Sequence, residues 1–197
     1  MIVFVGSSLS LIIQGKPVDA FVKYCYPLFR PSRIFPSYGC RVWSGHGAVS
    51  RNQMNHLAEF VAAQNAAYDQ VLRELAAGRK ETHWIWFIFP QATGLGFSAM
   101  SRRFGIASRA EAQSYLRHDV LGPRLRECTE LMLASPSRDI RSILGDPDDL
   151  KFRSSMTLFA ASAPEESIFK AALEKFFGGK PDALTLRLLQ EEKGPRQ

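Results

Sequence analysis

Cysteine is scarce in this chain of 197 residues, with only Cys25, Cys40 and Cys128 present and no CxxC pair among them. Their odd count and wide spacing exclude a disulfide framework and a thiolate zinc site. Long hydrophobic runs are missing as well. None approaches the ~20 residues that a membrane-spanning helix needs. The sequence holds no His-Glu-x-x-His pair, no phosphate-binding P-loop and no Gly-x-Ser-x-Gly nucleophile turn. These absences lead to a cytoplasmic protein without a membrane partner, and to no expected metal and no expected cofactor.

Acidic charge is missing from one region in particular. Residues 1–53 carry Lys16, Lys23, Arg30, Arg33, Arg41 and Arg51 against Asp19 alone, so this quarter of the chain supplies +5 of the net +6. From Met54 onward the balance is +1. A nucleic-acid binder concentrates basic charge on its folded face. Nucleic acid is therefore not the expected partner, unless the basic arm itself makes the contact. The same region lacks a sustained helical period and is broken by Pro27, Pro31, Pro36, Gly39, Gly45 and Gly47. Residues 1–13 are apolar but have no basic flank of the kind a signal peptide carries. Two readings stand: a basic arm, or sequence upstream of a translation start at Met54. The expected division is an irregular segment over 1–53 and a helical domain over 54–193.

The chain after Met54 is densely punctuated for helices. Leu57, Phe60, Val61, Gln64, Tyr68, Val71, Leu72 and Leu75 recur at i, i+3, i+4, i+7 spacing, and Gly78 ends the run. Ser108-Arg109-Ala110-Glu111 is a capping box. Asp119 is a candidate cap for the next helix, and Ser137 starts a short one closed by Gly145. Asp146-Pro147-Asp148-Asp149 reads as an N-cap, a proline at the first helical position and two acids on the positive dipole end. Pro164-Glu165-Glu166 repeats that device before a helix closed by Gly178-Gly179. Pro181-Asp182 opens a last helix carrying Leu184, Leu188 and Leu189. The expectation is an all-α fold, one compact domain of seven to eight short helices.

Between these lies a dense aromatic block, Trp84-Ile85-Trp86-Phe87-Ile88-Phe89, stopped by Pro90. Periodicity does not separate strand from helix in so short a run. No second convincing strand exists to pair with it, and a lone strand leaves backbone groups unsatisfied. The block is therefore read as a short buried helix. Gly94-Leu95-Gly96-Phe97-Ser98-Ala99 matches the dinucleotide fingerprint, but it lacks the preceding strand and the alternating β/α context. It reads as a glycine turn, with Ser98 capping a short helix that carries Arg102 and Arg103. Backbone N–H groups and guanidinium groups there would suit a phosphate or carboxylate. Further on, Lys151, Ser154, Ser155 and Leu158 share one helical face, a polar stripe that enters the interior or lines a pocket.

These strings carry a family resemblance. Tyr68, Gly78-Arg79-Lys80, the 83–91 run His83-Trp84-Ile85-Trp86-Phe87-Ile88-Phe89-Pro90-Gln91, Gly94-Leu95-Gly96-Phe97-Ser98, Tyr115-Leu116, His118, and Ser154-Ser155-Met156-Thr157-Leu158-Phe159 make the segment after Met54 resemble the bacterial domain-of-unknown-function family DUF1810. Asp119 departs from the proline usual after the histidine. The resemblance implies a mainly helical single domain and no particular activity. Some members carry a calpastatin label, but no protease-inhibitor repeat occurs here.

Function is then a choice between classes. One is the binding or processing of a small anionic, nucleotide-like ligand. Its ligand-binding candidates are Lys80, Trp84, Trp86, Gln91, Gly94, Gly96, Ser98, Arg102, Lys151, Ser154 and Ser155. Its acid–base candidates are His83, Glu111 and Asp182, a carboxylate activating water being the simplest chemistry. The alternative is a non-enzymatic interaction module whose motifs are all core.

Overall fold

The computed structural model describes residues 12–13, 16–17 and 51–191. In the first unit of the chain, 1–45, these are two short strands, β1 (Ile12–Ile13) and β2 (Lys16–Pro17). They pair antiparallel, Ile12 opposite Pro17 and Ile13 opposite Lys16. The second unit is all helical: α1 (Arg51–Ala76), α2 (Ile85–Ile88), α3 (Ala99–Arg103), α4 (Arg109–Arg117), α5 (Leu121–Ala134), α6 (Ile140–Leu144), α7 (Asp148–Ser162), α8 (Ser167–Phe177) and α9 (Ala183–Glu191). The all-α expectation is met with nine helices among the described residues, because 83–104 yields two short ones. The aromatic block is helical, as α2.

The long first helix buries a stripe that runs for about five turns, from Leu57 to Leu75. Leu57, Phe60, Val71 and Leu75 are buried, and Gln64 lies in the same stripe at 1% exposure. Its amide is satisfied there, since Gln64 Nε2 donates to the Phe87 carbonyl at 2.7 Å and to the Tyr115 hydroxyl at 2.9 Å. Helix α7 is the hub, packed against α8, α4, α9, α6 and α2. It buries Phe152, Met156, Leu158 and Phe159 on several sides at once, so its apolar residues do not keep to a single stripe. Phe152 meets Phe89 edge-on with centroids 4.8 Å apart, and Phe159 packs on Tyr115 and Phe169 at 5.5 Å each.

Several caps differ from expectation. Asp119 does not cap α5. Instead His118 Nδ1 accepts from the Val120 and Leu121 amides, at 3.1 and 3.4 Å. Helix α6 starts at Ile140 rather than Ser137, because Asp139 Oδ1 accepts from the Arg141 amide. Pro147 is itself the N-cap of α7, and Asp146 pairs sideways with Arg141 at 3.0 Å. Glu166 occupies the N-cap of α8 without a side-chain cap bond, its carboxylate being held by both arms of Arg126 at 2.7 and 2.6 Å. In α9 the buried residues are Thr185 and Leu189, while Leu184 faces out. Gly122 has a steric reason to be glycine, since a Cβ there would fall 2.0 Å from the Leu116 carbonyl oxygen.

Two carboxylates organise the chain turns. Glu74, at 3% exposure, accepts at Oε2 from the amides of Glu81 (2.8 Å) and Thr82 (3.1 Å) and from Trp84 Nε1 (2.7 Å). Its Oε1 accepts from Thr82 Oγ1 at 2.7 Å and Gln70 Nε2 at 2.9 Å. Burial raises its pKa, but these donors outweigh burial and bring it down to about 2. Glu111 forms a variant of the expected capping box: its amide donates to Ser108 Oγ at 3.0 Å, while its Oε2 accepts from the amide of Ala107, one residue before the cap, at 2.7 Å. Its Oε1 lies 2.7 Å from His56 Nδ1, whose ring presents Nε2 to the Arg103 carbonyl at 2.8 Å. Both ring nitrogens face acceptors, an arrangement only the imidazolium satisfies. The Glu111 bond, against a smaller cost of burial, raises the His56 pKa. Burial raises that of Glu111, but His56 and the Ala107 amide reverse this and lower it.

Replacing Glu74 with Gln puts an NH2 among donors. It is expected to cost about 3 kcal/mol in urea unfolding, the worth of one or two charge-assisted bonds. The Glu74 contribution is complete above its ordinary 4.5 and is lost as pH falls towards about 2. The His56 contribution is complete below its ordinary 6.5 and is lost as pH rises through the raised folded value. The Glu111 contribution is complete above 4.5 and is lost as pH falls through the lowered folded value. The gap in unfolding free energy between wild type and His56→Gln should thus be widest near pH ~5.5, at about 1 kcal/mol, and shrink by pH ~9. An unchanging gap across that range would remove the charged pair from the account.

Candidate functional site

A groove of about 440 Å³ opens where three distant stretches of chain meet. Trp86 and Gln91, with the turn Leu95, Gly96, Phe97, Ser98 and Ser101, form one wall. The first turns of α7 supply Pro147, Leu150, Lys151 and Ser154, and the start of α9 supplies Asp182 and Leu184. The local structure of each wall follows from its residues. The turn stands away from α2 because Pro90 stops the helix and Gly94 takes φ +97. It is anchored by backbone bonds between Thr93 and Ile106 and between Ile106 and Gln91, each 2.9 Å. Gly96 closes against Ser101, whose side chain would lie 2.7 Å from a Cβ there. Ser98 then caps α3, its Oγ accepting from the Ser101 amide at 3.0 Å.

The floor is cationic and aromatic. Lys151 Nζ sits 4.4 Å from the Trp86 ring centroid and donates to Asp148 Oδ1 at 2.7 Å. Asp148 Oδ2 takes Lys80 Nζ at 2.7 Å. Lys80 also lies 5.5 Å from the Trp84 ring, so two ammonium groups share one carboxylate between two indoles. The rim is apolar. Phe97 is 89% exposed, Leu184 58% and Leu150 53%, and with Met54 these are the exposed large hydrophobic side chains among the described residues. Three of those four therefore surround one groove.

The sequence candidates separate accordingly. Trp86, Gln91, Gly96, Ser98, Lys151, Ser154 and Asp182 line the groove, and Lys80 joins them through Asp148. Trp84 does not reach it, being 1% exposed and bonded to Glu74. Gly94 shapes the turn from outside, near Leu188. Arg102 folds back on the Phe97 carbonyl, and Arg103 pairs with Glu59 at 2.9 Å. The anion site expected from these two arginines is therefore not assembled around them. Ser155 is fully buried and its Oγ has no hydrogen-bond partner. Ser154 Oγ returns to the Leu150 carbonyl at 3.1 Å.

Of the acid–base candidates, His83 is exposed and outside the groove, and Glu111 is engaged with His56. Asp182 lines the groove, but its Oδ2 caps α9, accepting from the Thr185 amide at 2.8 Å and hydroxyl at 2.6 Å. The pairing of nucleophile, base and orienting group that marks a catalytic centre is not formed by these three. Sequence reasoning missed Asp148 as a site residue, treating it as a dipole acid, and missed the rim of Phe97, Leu150 and Leu184. The one available signal was that Leu150 falls off the buried face set by Phe152 and Met156. Among the described residues no cluster of three His, Cys, Asp or Glu side chains could hold a metal ion, and no helix is long and apolar enough to cross a membrane.

Comparison with known proteins agrees with this architecture. No curated protein matches the chain. A crystal structure of a conserved hypothetical protein from Mycobacterium tuberculosis is similar at 52% sequence identity and a TM-score of 0.67, over 68% of this chain and 96% of that one. The model of a protein family of unknown function, DUF1810, matches residues 54–189. On that match, which spans the whole helical body from α1 into α9, the chain belongs to the DUF1810 family.

Proposed function

We propose that this protein binds a small anionic ligand with a ring or other apolar part in the groove over Trp86 and Lys151. The observation that carries the reading is the coincidence of a positive centre with an apolar rim. Lys151 is held over an indole and keeps ammonium hydrogens beyond the one given to Asp148. Phe97, Leu150 and Leu184 stand exposed around it, where a nucleoside-like ring would cover them. Convergent polar groups in a groove with apolar walls are the common form of a ligand site. Helices α7 and α9 both begin here, so their positive ends add to the field. Binding, rather than turnover, is the function this geometry supports, because Asp182 is committed to its cap.

A second reading, an interaction module without a small-molecule site, draws on Phe97 alone. At 89% exposure it is more open than a pocket wall requires, and exposed apolar patches mark contact surfaces.

Thermal-shift and calorimetric titration with cyclic nucleotides, nucleotides, sugar phosphates and ADP-ribose separates the two. Under the ligand reading at least one of these raises the melting temperature in proportion to occupancy. Lys151→Ala then weakens its binding roughly tenfold, about 1.4 kcal/mol. If no anion stabilises the protein, the interaction module stands instead.

A further inference from the structure

We infer that Asp148 sets the charge selectivity of this groove and restricts its ligand to a single negative charge, as on a carboxylate or a phosphate diester. The inference rests on the anion reading above and sharpens it. Lys80 and Lys151 each reach Asp148 at 2.7 Å, so the three groups together carry one net positive charge. They are well shielded, with side-chain exposures of 11% for Lys80, 13% for Asp148 and 20% for Lys151. Burial works against the Asp148 carboxylate, but its bonds to Lys151 and Lys80 prevail and hold its pKa below the ordinary range. It is ionised at neutral pH.

Lys80 is fixed away from the opening. Its amide donates to the Ile143 carbonyl at 2.7 Å, and its ammonium lies beside Trp84, which Glu74 pins. Lys151 is the ammonium on the groove wall. An anion that meets Lys151 therefore has the Asp148 carboxylate directly behind that cation. One negative charge is matched by the net charge of the triad. A second charge on the same group has no cation left to meet and faces Asp148 across a partly dry space, where like charges repel strongly. The other carboxylate on the wall, Asp182, adds to the same bias. Two amides at the start of α7, those of Asp149 and Lys151, are bonded to the Gly145 and Pro147 carbonyls at 3.0 and 3.3 Å and so do not add donors for that charge. Arg102, the nearest guanidinium in sequence to the turn, gives an Nη1 donor to the Phe97 carbonyl and is not among the residues lining the groove.

The test uses cyclic AMP and AMP, which share base and sugar and differ in phosphate charge. Calorimetry on the wild-type protein should show cyclic AMP binding at least ~10-fold more tightly than AMP. Asp148→Asn removes the charge and keeps the shape; it should improve AMP binding roughly tenfold and cyclic AMP binding less, by about threefold, so that the preference for cyclic AMP narrows. Because that substitution also alters the Lys80 pair, a second arm uses only wild-type protein. A phosphate monoester takes up its second proton near pH ~6, so AMP at pH ~5 is a monoanion and should then bind nearly as well as cyclic AMP. Equal affinities at neutral pH, or an AMP affinity unmoved by both pH and Asp148→Asn, would overturn the selectivity while leaving the groove a ligand site. Failure of the wild type to bind either probe at either pH would overturn the nucleotide-like reading itself, and the selectivity with it.

Discussion

The Glu74 carboxylate is the contact on which the site's geometry depends. A buried charge is tolerable only when fully hydrogen-bonded, and Glu74 meets that condition by collecting donors from both sides of the turn after α1. The chain thereby reverses within a few residues, and Trp84 is fixed by its indole N–H as well as by packing. Helix α2 has only four residues, too few to be stable by its own backbone bonds. Its position is set by Trp84 at its start and by the packing of Phe89 on Phe152 at its end. The orientation of Trp86, and with it the floor of the groove, follows from those two anchors.

Helix α7 translates that arrangement into a surface. Its middle is enclosed by five other helices, so its first turns project from a rigid base. Lys151 and Ser154 reach the groove from there, while Asp148 ties the same turn to Lys80 on the α1–α2 connection. The polar side chains within α7 cost little, because Ser154, Thr157 and Ser162 each return a hydroxyl to the carbonyl four residues earlier. Among these hydroxyls Ser155 is the exception, buried with no such bond, and Asp149 Oδ1 in the same helix is likewise buried without a partner.

What was legible in the sequence was what is local. The capping box at Ser108 and Glu111, the Ser98 cap, the glycine stops and the α1 stripe all depend on residues within four positions of one another. The polar stripe of α7 was legible too, as a face that enters the interior or lines a pocket. What depends on distant partners was not. His56 and Glu111 are 55 positions apart, and no pattern announces that a histidine at the start of one helix will close the capping box of another. Asp119 is the cap the sequence offers for α5, yet the neighbouring His118 ring accepts the Val120 and Leu121 amides instead. Leu184 and Thr185 invert the usual preference, the hydroxyl being buried because Asp182 satisfies it. The rim of the groove escaped notice for that reason.

The groove draws its walls from stretches of chain that are far apart in sequence, 86–101, 147–154 and 182–184. One of them is the first turn of α9, the last helix described, which packs on α7. Whatever fills the groove touches the turn, the hub helix and this terminal helix at the same time. On the proposed reading, occupancy and the docking of α9 would be linked equilibria. Loosening α9 would then weaken the site, and filling the site would protect the amides of 183–191 from exchange with solvent.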